Sequence, residues 1–175
     1  MTIETQPATS ERVLAFLSAT ESMHMWVDGG WGVDALLGEQ SRSHSDLDII
    51  ISIADTEKLT VLLSALSYEQ VNAEEAVYMS PQGLAVDIHC VRFDERGYGA
   101  FELPDGRIWP FPPSAFKGVG QIGGVTVSCL SAEAQVQCHA QGYAPTQKDI
   151  DDMQALQRRF EVVLPLLLCV HGPST

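Results

Sequence analysis

Asp46-Leu47-Asp48 opens the most isoleucine-rich stretch of the chain, DLDIIISI. In an extended strand successive side chains alternate faces, so Asp46 and Asp48 point to one side while Leu47 packs inward. Two carboxylates on one face repel each other by about 4 kcal/mol at ~4 Å when the effective dielectric is about 20. A divalent cation turns that repulsion into a binding site, and Mg²⁺ prefers such hard oxygen ligands. A D-x-D pair also sits in solvated turns, and taken alone the turn is slightly the stronger reading.

A third acid shifts the balance. Asp87 lies in LAVDIHCV, flanked by apolar residues that read as a buried strand. An acid in such a place needs a partner, a metal or the edge of a sheet. If that strand pairs beside the Asp46–Asp48 strand, three carboxylates converge, as a two-metal phosphoryl-transfer site requires. One cation then holds a triphosphate, the other activates an attacking hydroxyl, and a carboxylate accepts its proton. His89, two residues further on, faces the same side and is a candidate contact for the acceptor, although a lone strand histidine is more often a hydrogen-bonded structural group.

Gly29-Gly30 falls between the strand-like MWV and a short helix. Glycines let the backbone approach phosphates closely, and a helix N-terminus supplies free N–H groups and the positive end of its dipole. A plain turn uses the same pair as often. The surroundings match neither the P-loop nor the dinucleotide-binding glycine pattern. Arg42, with His44 just before the acidic strand, is a candidate phosphate ligand. A surface arginine paired with a nearby acid explains Arg42 equally well. Lys148, at the start of the last helix, is a weaker candidate for the same task.

These groups must be held by secondary structure, and the sequence marks it out. Residues 1–9 read as a loose arm. Ser10 and Glu11 open a helix with Val13, Leu14, Phe16 and Leu17 on one face. A strand at 25–27 leads through Asp28-Gly29-Gly30 into the short helix WGVDALLG, which Gly38 stops. After the strand at 46–53, Asp55 serves as N-cap of a helix whose Leu59, Leu62, Leu63 and Leu66 form a core face. Strands near EAVYMS and LAVDIHCV follow, separated by the turn Pro81-Gln82-Gly83. Residues 93–124 read as loops with short strands at RIWPF and GVTVSCL. Thr146 and Asp149 give a capping-box start to a last helix with Ile150, Met153, Leu156 and Phe160 facing the core. The order predicts an α/β (α+β) protein, a mixed sheet flanked by helices with a small C-terminal helical part. Residues 1–125 form its core and 126–175 the helical part, packed together as one unit.

Composition narrows the function classes. The chain has 175 residues, 45% hydrophobic, with a net charge of −13. Such acidity, without a Lys/Arg stripe, argues against a nucleic-acid partner. It keeps a protein soluble and equally draws a cationic small molecule to a cleft. The longest late apolar run, Val162 to Val170, is too short for a membrane span and contains Pro165. The polar N-terminus lacks an export-signal pattern, so a cytoplasmic location is expected. Cys90, Cys129, Cys138 and Cys169 are irregularly spaced and read as buried thiols in a reducing compartment, with a cysteine metal site a remote alternative.

Trp26-Val27-Asp28-Gly29-Gly30-Trp31-Gly32-Val33-Asp34 followed by Arg42-Ser43-His44-Ser45-Asp46-Leu47-Asp48 resembles the small antibiotic nucleotidyltransferases of the polymerase-β-like superfamily. Within that group the chain is most similar to the lincosamide enzymes, whose third-acid strand the segment Val86-Asp87-Ile88-His89 also matches, and next to the aminoglycoside 2″-nucleotidyltransferases. The resemblance implies a polymerase-β-like fold and Mg²⁺ ligation by Asp46 and Asp48. It implies that Asp87 shares a metal or acts as general base, and that Gly29, Gly30 and Arg42 hold the nucleoside triphosphate, with ATP first among the candidates. The implied reaction moves a nucleoside monophosphate onto a hydroxyl of a small molecule, a lincosamide or related antibiotic, and the implied assembly is a homodimer. An aminoglycoside or a non-antibiotic acceptor remains an alternative, as does a non-catalytic binder on the same fold. A D-x-D glycosyltransferase leaves Gly29-Gly30 and Asp87 unexplained.

Overall fold

The computed structural model describes residues 6–72, 76–103, 105–141 and 144–169. Helix α1 (Ser10–Ala19) starts at Thr9, whose side-chain oxygen accepts the Arg12 N–H, and buries Val13 and Phe16. Strand β1 (Met25–Asp28) passes directly into helix α2 (Gly29–Leu37), which ends on Gly38 in the left-handed conformation that glycine adopts without a Cβ clash. Strand β2 (Asp46–Ser52) is followed by a short 3-10 turn and helix α3 (Thr56–Ala65). Strands β3 (Glu69–Asn72), β4 (Val77–Met79) and β5 (Ala85–Phe93) come next. The hairpin of β6 (Gly99–Glu102) and β7 (Ile108–Phe111), then the hairpin of β8 (Gly118–Ile122) and β9 (Val125–Cys129), complete the strands. Helices α4 (Ala132–Ala140) and α5 (Gln147–Phe160) close the described fold.

The strands form one mixed sheet in the order β3-β4-β5-β2-β1-β9-β8, with β6 and β7 continuing from the far half of β5. At its centre β2 runs antiparallel to β1 and parallel to β5. Alternation along β2 sorts its side chains cleanly. Leu47, Ile49 and Ile51 are all fully buried on one face, where they meet Val27, Val86 and Ile88 together with Val13 and Phe16 of α1 and Leu59 and Leu63 of α3. Asp46, Asp48 and Ile50 take the other face. There Ile50 and Val91 pack with Phe111, Ala115, Leu130 and Ala134, so that face is covered only over its far part. A third cluster joins Val33 of α2 to Ala132 and Val136 of α4 and to Met153 and Leu156 of α5. Strand β9 begins at Val125, the expected end of the core part, and its Cys129 pairs with Val27 inside the sheet.

Several sequence expectations are corrected. Residues 6–9 are not a loose arm: Gln6 N–H donates to the Gly83 carbonyl and Ala8 N–H to the His44 carbonyl, with Ala8 buried. Asp55 precedes α3 but makes no capping hydrogen bond, because its carboxylate is engaged by the backbone N–H and ring Nδ1 of His24 at 2.9 and 3.0 Å. Leu66 and Phe160 lie outside the cores their helices serve, at 40% and 39% exposure, since Leu66 is the C-cap of α3 and Phe160 the last residue of α5. Cys129 is buried, but Cys169 is exposed. The capping box at Thr146 and Asp149 forms as expected, with Thr146 N–H donating to the Asp149 carboxylate at 2.7 Å. Residues 1–5 of the arm, Glu75 of EAVYMS and Val170 of the last apolar run lie outside the described residues. Among the described residues no helix is long and apolar enough to cross a membrane.

Candidate active site

Asp28 ends β1, and Asp48 and Asp87 each stand third in their strands. The register pairs Asp28 with Asp48 and Asp48 with Asp87. Directly paired residues of adjacent strands project to the same face, so three carboxylates form one row across β1, β2 and β5. Asp46, two residues before Asp48, shares that face and is exposed. The row is electrostatically unfavourable by itself. Burial first, and then the charges of Asp46, Asp28 and Asp87, hold the Asp48 carboxyl well above the usual carboxylate range. Asp28 is only 9% exposed, and its Oδ1 is buried with no partner among the described residues. His89 brings Nε2 to 4.0 Å from Asp87 Oδ2. Ligand atoms of Asp48, Asp87 and His89 all lie within 4.8 Å of one another. Mutually repelling carboxylates with an orphaned oxygen beside them are the donor set a hard divalent cation satisfies, so the residues present fit Mg²⁺.

The glycine pair abuts this row. Gly29 has φ +56, and a Cβ there would stand 2.1 Å from Asp48 Oδ2. A Cβ on Gly30 would stand 2.4 Å from His44 Nδ1 and 2.8 Å from Arg42 Nη2. The start of α2 is thus open backbone, with its free N–H groups next to an imidazole and a guanidinium. Both neighbours are fixed from behind. His44 pairs through Nε2 with buried Asp34 at 2.5 Å, and Asp34 also accepts from the Ser41 backbone N–H and hydroxyl. Arg42 donates Nε and Nη2 to Asp152 of α5, the shortest contact being 2.7 Å. Hydrogen bonding to Asp152 holds the Arg42 guanidinium above its ordinary value, so it stays charged. The pairing of Arg42 with an acid, one of the two readings of its sequence position, is therefore present, and it holds the arginine against Gly30.

Asp28, Gly29, Gly30, Arg42, Asp46, Asp48, His89 and Lys148 line one cleft of about 500 Å³. Asp87 is not itself in that lining and joins through Asp48 and His89. Farther along the same face of the sheet the lining is apolar: Phe101 of β6, Leu103, and Trp109 and Phe111 of β7. His89 lies between Asp87 and this apolar lining, its ring edge-on to Phe101 with centroids 5.4 Å apart. On the α4–α5 side, His139 Nδ1 pairs with Asp149 at 3.0 Å beside Lys148. The sequence carries no signal for Asp152; the strand expected at RIWPF is present as β7, but nothing in the sequence marks its pairing with β6 beside the cleft. Asp28 was in view inside its motif, but its place in the row needed the β1–β2 register.

Residues 11–156 match the family model described as aminoglycoside-2″-adenylyltransferase. A lincosamide resistance protein of Staphylococcus haemolyticus is 29% identical over 161 residues, spanning 85% of this chain and 94% of that protein. A 2″-aminoglycoside nucleotidyltransferase of Escherichia coli is 27% identical over 131 residues, 74% of this chain and 70% of the relative. The crystal structure of a lincosamide antibiotic adenylyltransferase with lincomycin bound matches at TM-score 0.75 and 27% identity, covering 87% of this chain and 98% of that one.

Proposed function

The chain belongs to the aminoglycoside-2″-adenylyltransferase family of antibiotic nucleotidyltransferases, and from that membership we propose that it transfers a nucleoside monophosphate, from ATP in the first instance, onto a hydroxyl of a lincosamide. One observation carries the reading: Asp48 and Asp87 are register-paired on one face directly beside the Gly29–Gly30 start of α2. Asp46, Asp48 and Asp87 are the residues to hold Mg²⁺. Bound there, the metal neutralises the triphosphate and makes the acceptor hydroxyl more acidic. The N–H groups at Gly29 and Gly30 and the guanidinium of Arg42 hold the phosphates, with Lys148 as a further cation on the same cleft. Asp87 accepts the proton of the attacking hydroxyl. The oxygen of the acceptor hydroxyl forms the new bond to the α-phosphorus, and the bond from that phosphorus to the bridging oxygen breaks, so that pyrophosphate leaves. The protein's part is positioning and charge complementarity.

Two things support a lincosamide as acceptor. The relatives that match over 94% and 98% of their own length are a lincosamide resistance protein and a lincosamide adenylyltransferase. The apolar part of the cleft lining, Phe101, Leu103, Trp109 and Phe111, suits a molecule with an apolar part better than a polycationic sugar. His89 borders the acceptor side of the cleft. The net charge of −13 favours a second reading, an aminoglycoside acceptor. Pairing of two copies to shape the acceptor pocket, and a cytoplasmic location, belong to the same proposal.

The test is pyrophosphate release with Mg²⁺ and each of the four nucleoside triphosphates, against lincomycin, clindamycin and a panel of aminoglycosides. The expected result is release that needs ATP and a lincosamide, stops with EDTA, and yields a product heavier than the drug by one adenylyl group. Release only with aminoglycosides selects the second reading. Silence with every drug, alongside Mg²⁺-dependent triphosphate binding, moves the acceptor outside both classes.

A further inference from the structure

Four histidines lie among the described residues, and three of them are hydrogen-bonded to an aspartate: His24 to Asp55, His44 to Asp34 and His139 to Asp149, at 3.0, 2.5 and 3.0 Å. His89 differs. Its Nε2 stops 4.0 Å from Asp87 Oδ2, too far for a hydrogen bond, and among the described residues the ring makes none. It is nevertheless held. Position 89 lies two residues after Asp87 on β5 and therefore on the same face, and Phe101 packs edge-on against the ring at 5.4 Å. An imidazole with a free nitrogen, fixed beside two carboxylates, is arranged as a ligand rather than as a structural hydrogen-bonding group. The three ligand atoms lie within 4.8 Å of one another, a span that one ion with ligand distances of about 2.1 Å closes by small side-chain movements.

We propose that His89 Nε2 is a cation ligand together with Asp48 and Asp87, and that this nitrogen donor makes the site prefer a first-row transition ion such as Mn²⁺ over Mg²⁺. The inference rests on the nucleotidyltransferase reading of the acid row. The physical basis is donor chemistry. Mg²⁺ is bound through carboxylate and water oxygens and gains little from imidazole, whereas later divalent ions bind nitrogen progressively more strongly. Replacing His89 therefore affects the two ions unequally, which a role in contacting the acceptor alone does not produce.

The experiment is a Mn²⁺ titration of the nucleotide-free protein followed by electron paramagnetic resonance, with pulsed detection of ¹⁴N coupling and Mg²⁺ affinity obtained by competition. Wild-type protein, His89→Phe, His89→Gln and Asp48→Asn are compared, each checked for folding by circular dichroism. The expected outcome is ¹⁴N coupling in the wild type that disappears in both His89 variants. Mn²⁺ binding weakens at least tenfold in them, while Mg²⁺ binding changes less than twofold. His89→Gln keeps a polar side chain of similar length, so it carries the test if His89→Phe fails to fold. Mn²⁺ binding that Asp48→Asn abolishes but that shows no ¹⁴N coupling overturns the role of His89 and leaves the acid site standing. No Mn²⁺ binding by the wild type overturns both. Equal weakening of Mn²⁺ and Mg²⁺ in the His89 variants overturns the selectivity.

Discussion

Gly29→Ala and Gly38→Ala form a matched pair that isolates the cradle from ordinary backbone strain. Both glycines have positive φ, +56 and +80, so an alanine at either position carries about 1–2 kcal/mol of left-handed strain. For a chain of this size that lowers the melting temperature by about 2–8 °C in each variant. The surroundings then separate them. A Cβ at Gly38 meets nothing within 4 Å, whereas one at Gly29 stands 2.1 Å from Asp48 Oδ2. Restoring a normal carbon–oxygen contact displaces that carboxylate by about 1 Å, and a misplacement of that size lowers turnover by about 100-fold. Calorimetry gives the stability difference and pyrophosphate release gives kcat. A Gly29→Ala variant that keeps more than about a tenth of wild-type kcat, or a Gly38→Ala variant that loses as much as Gly29→Ala, refutes the cradle.

Further outcomes follow from the same geometry. Asp48→Asn abolishes transfer yet raises the melting temperature in EDTA, because it removes a charge that burial and three neighbouring acids disfavour. Since the folded-state value for Asp48 is raised, the native protein holds its proton longer than the unfolded chain does. Wild-type stability in EDTA is thus unpenalised below about pH 4 and declines as pH rises through the raised value, while Asp48→Asn loses that contribution to the slope; urea titrations across pH read both. Arg42→Met costs about 3 kcal/mol by leaving Asp152, 6% exposed, without its partner, and it also raises KM for the triphosphate; urea melts and initial rates separate the two effects. Near neutral pH a maleimide modifies exposed Cys169 in the native protein. Cys129, pushed up to about 12 by burial, and Cys138, pushed up by burial and by Asp28, react only after unfolding, as mass spectrometry of labelled peptides will record.

What the sequence made legible was local. Asp46, Leu47 and Asp48 announce their own alternation, Gly29 and Gly30 announce an approachable backbone, and Asp87 is conspicuous because apolar residues flank it. Convergence was not legible, since it depends on β1 and β5 lying on either side of β2. Arg42 reaches across 110 positions of chain to Asp152, and no local pattern marks such a pair. Strand β3 reads Glu-Gln-Val-Asn, with one strand-favouring residue, and β6 and β8 begin on glycine, so none of the three shows a clear strand pattern. Helix α4 escaped for a different reason. It buries Gln135 and His139 along with its alanines and valine, so polar and apolar residues do not separate into two faces. The short strand expected at RIWPF is present as β7, but its pairing with Phe101 of β6 into a hairpin whose aromatics line the cleft was not legible in a stretch so rich in Gly and Pro.

The seven consecutive pairs between β2 and β5, from Asp46 with Ala85 to Ser52 with Val91, also bear on how the chain is assembled and how it can evolve. A slip of one residue in either strand turns its side chains over. An aspartate of the row then enters the layer occupied by Leu47, Ile49, Val86 and Ile88 under α1 and α3, where its neighbours are apolar. An unpartnered ion there costs several kcal/mol, a large fraction of the 5–15 kcal/mol that typically holds a domain together. The paired carboxylates therefore act as proofreading marks for strand threading, because a mispaired chain carries that cost and the correctly paired one does not. Insertions between the two strands, over residues 53–84, leave those marks aligned. A single residue inserted within either strand turns over the side chains that follow it, whereas a change confined to the connection leaves the register of the pairing alone.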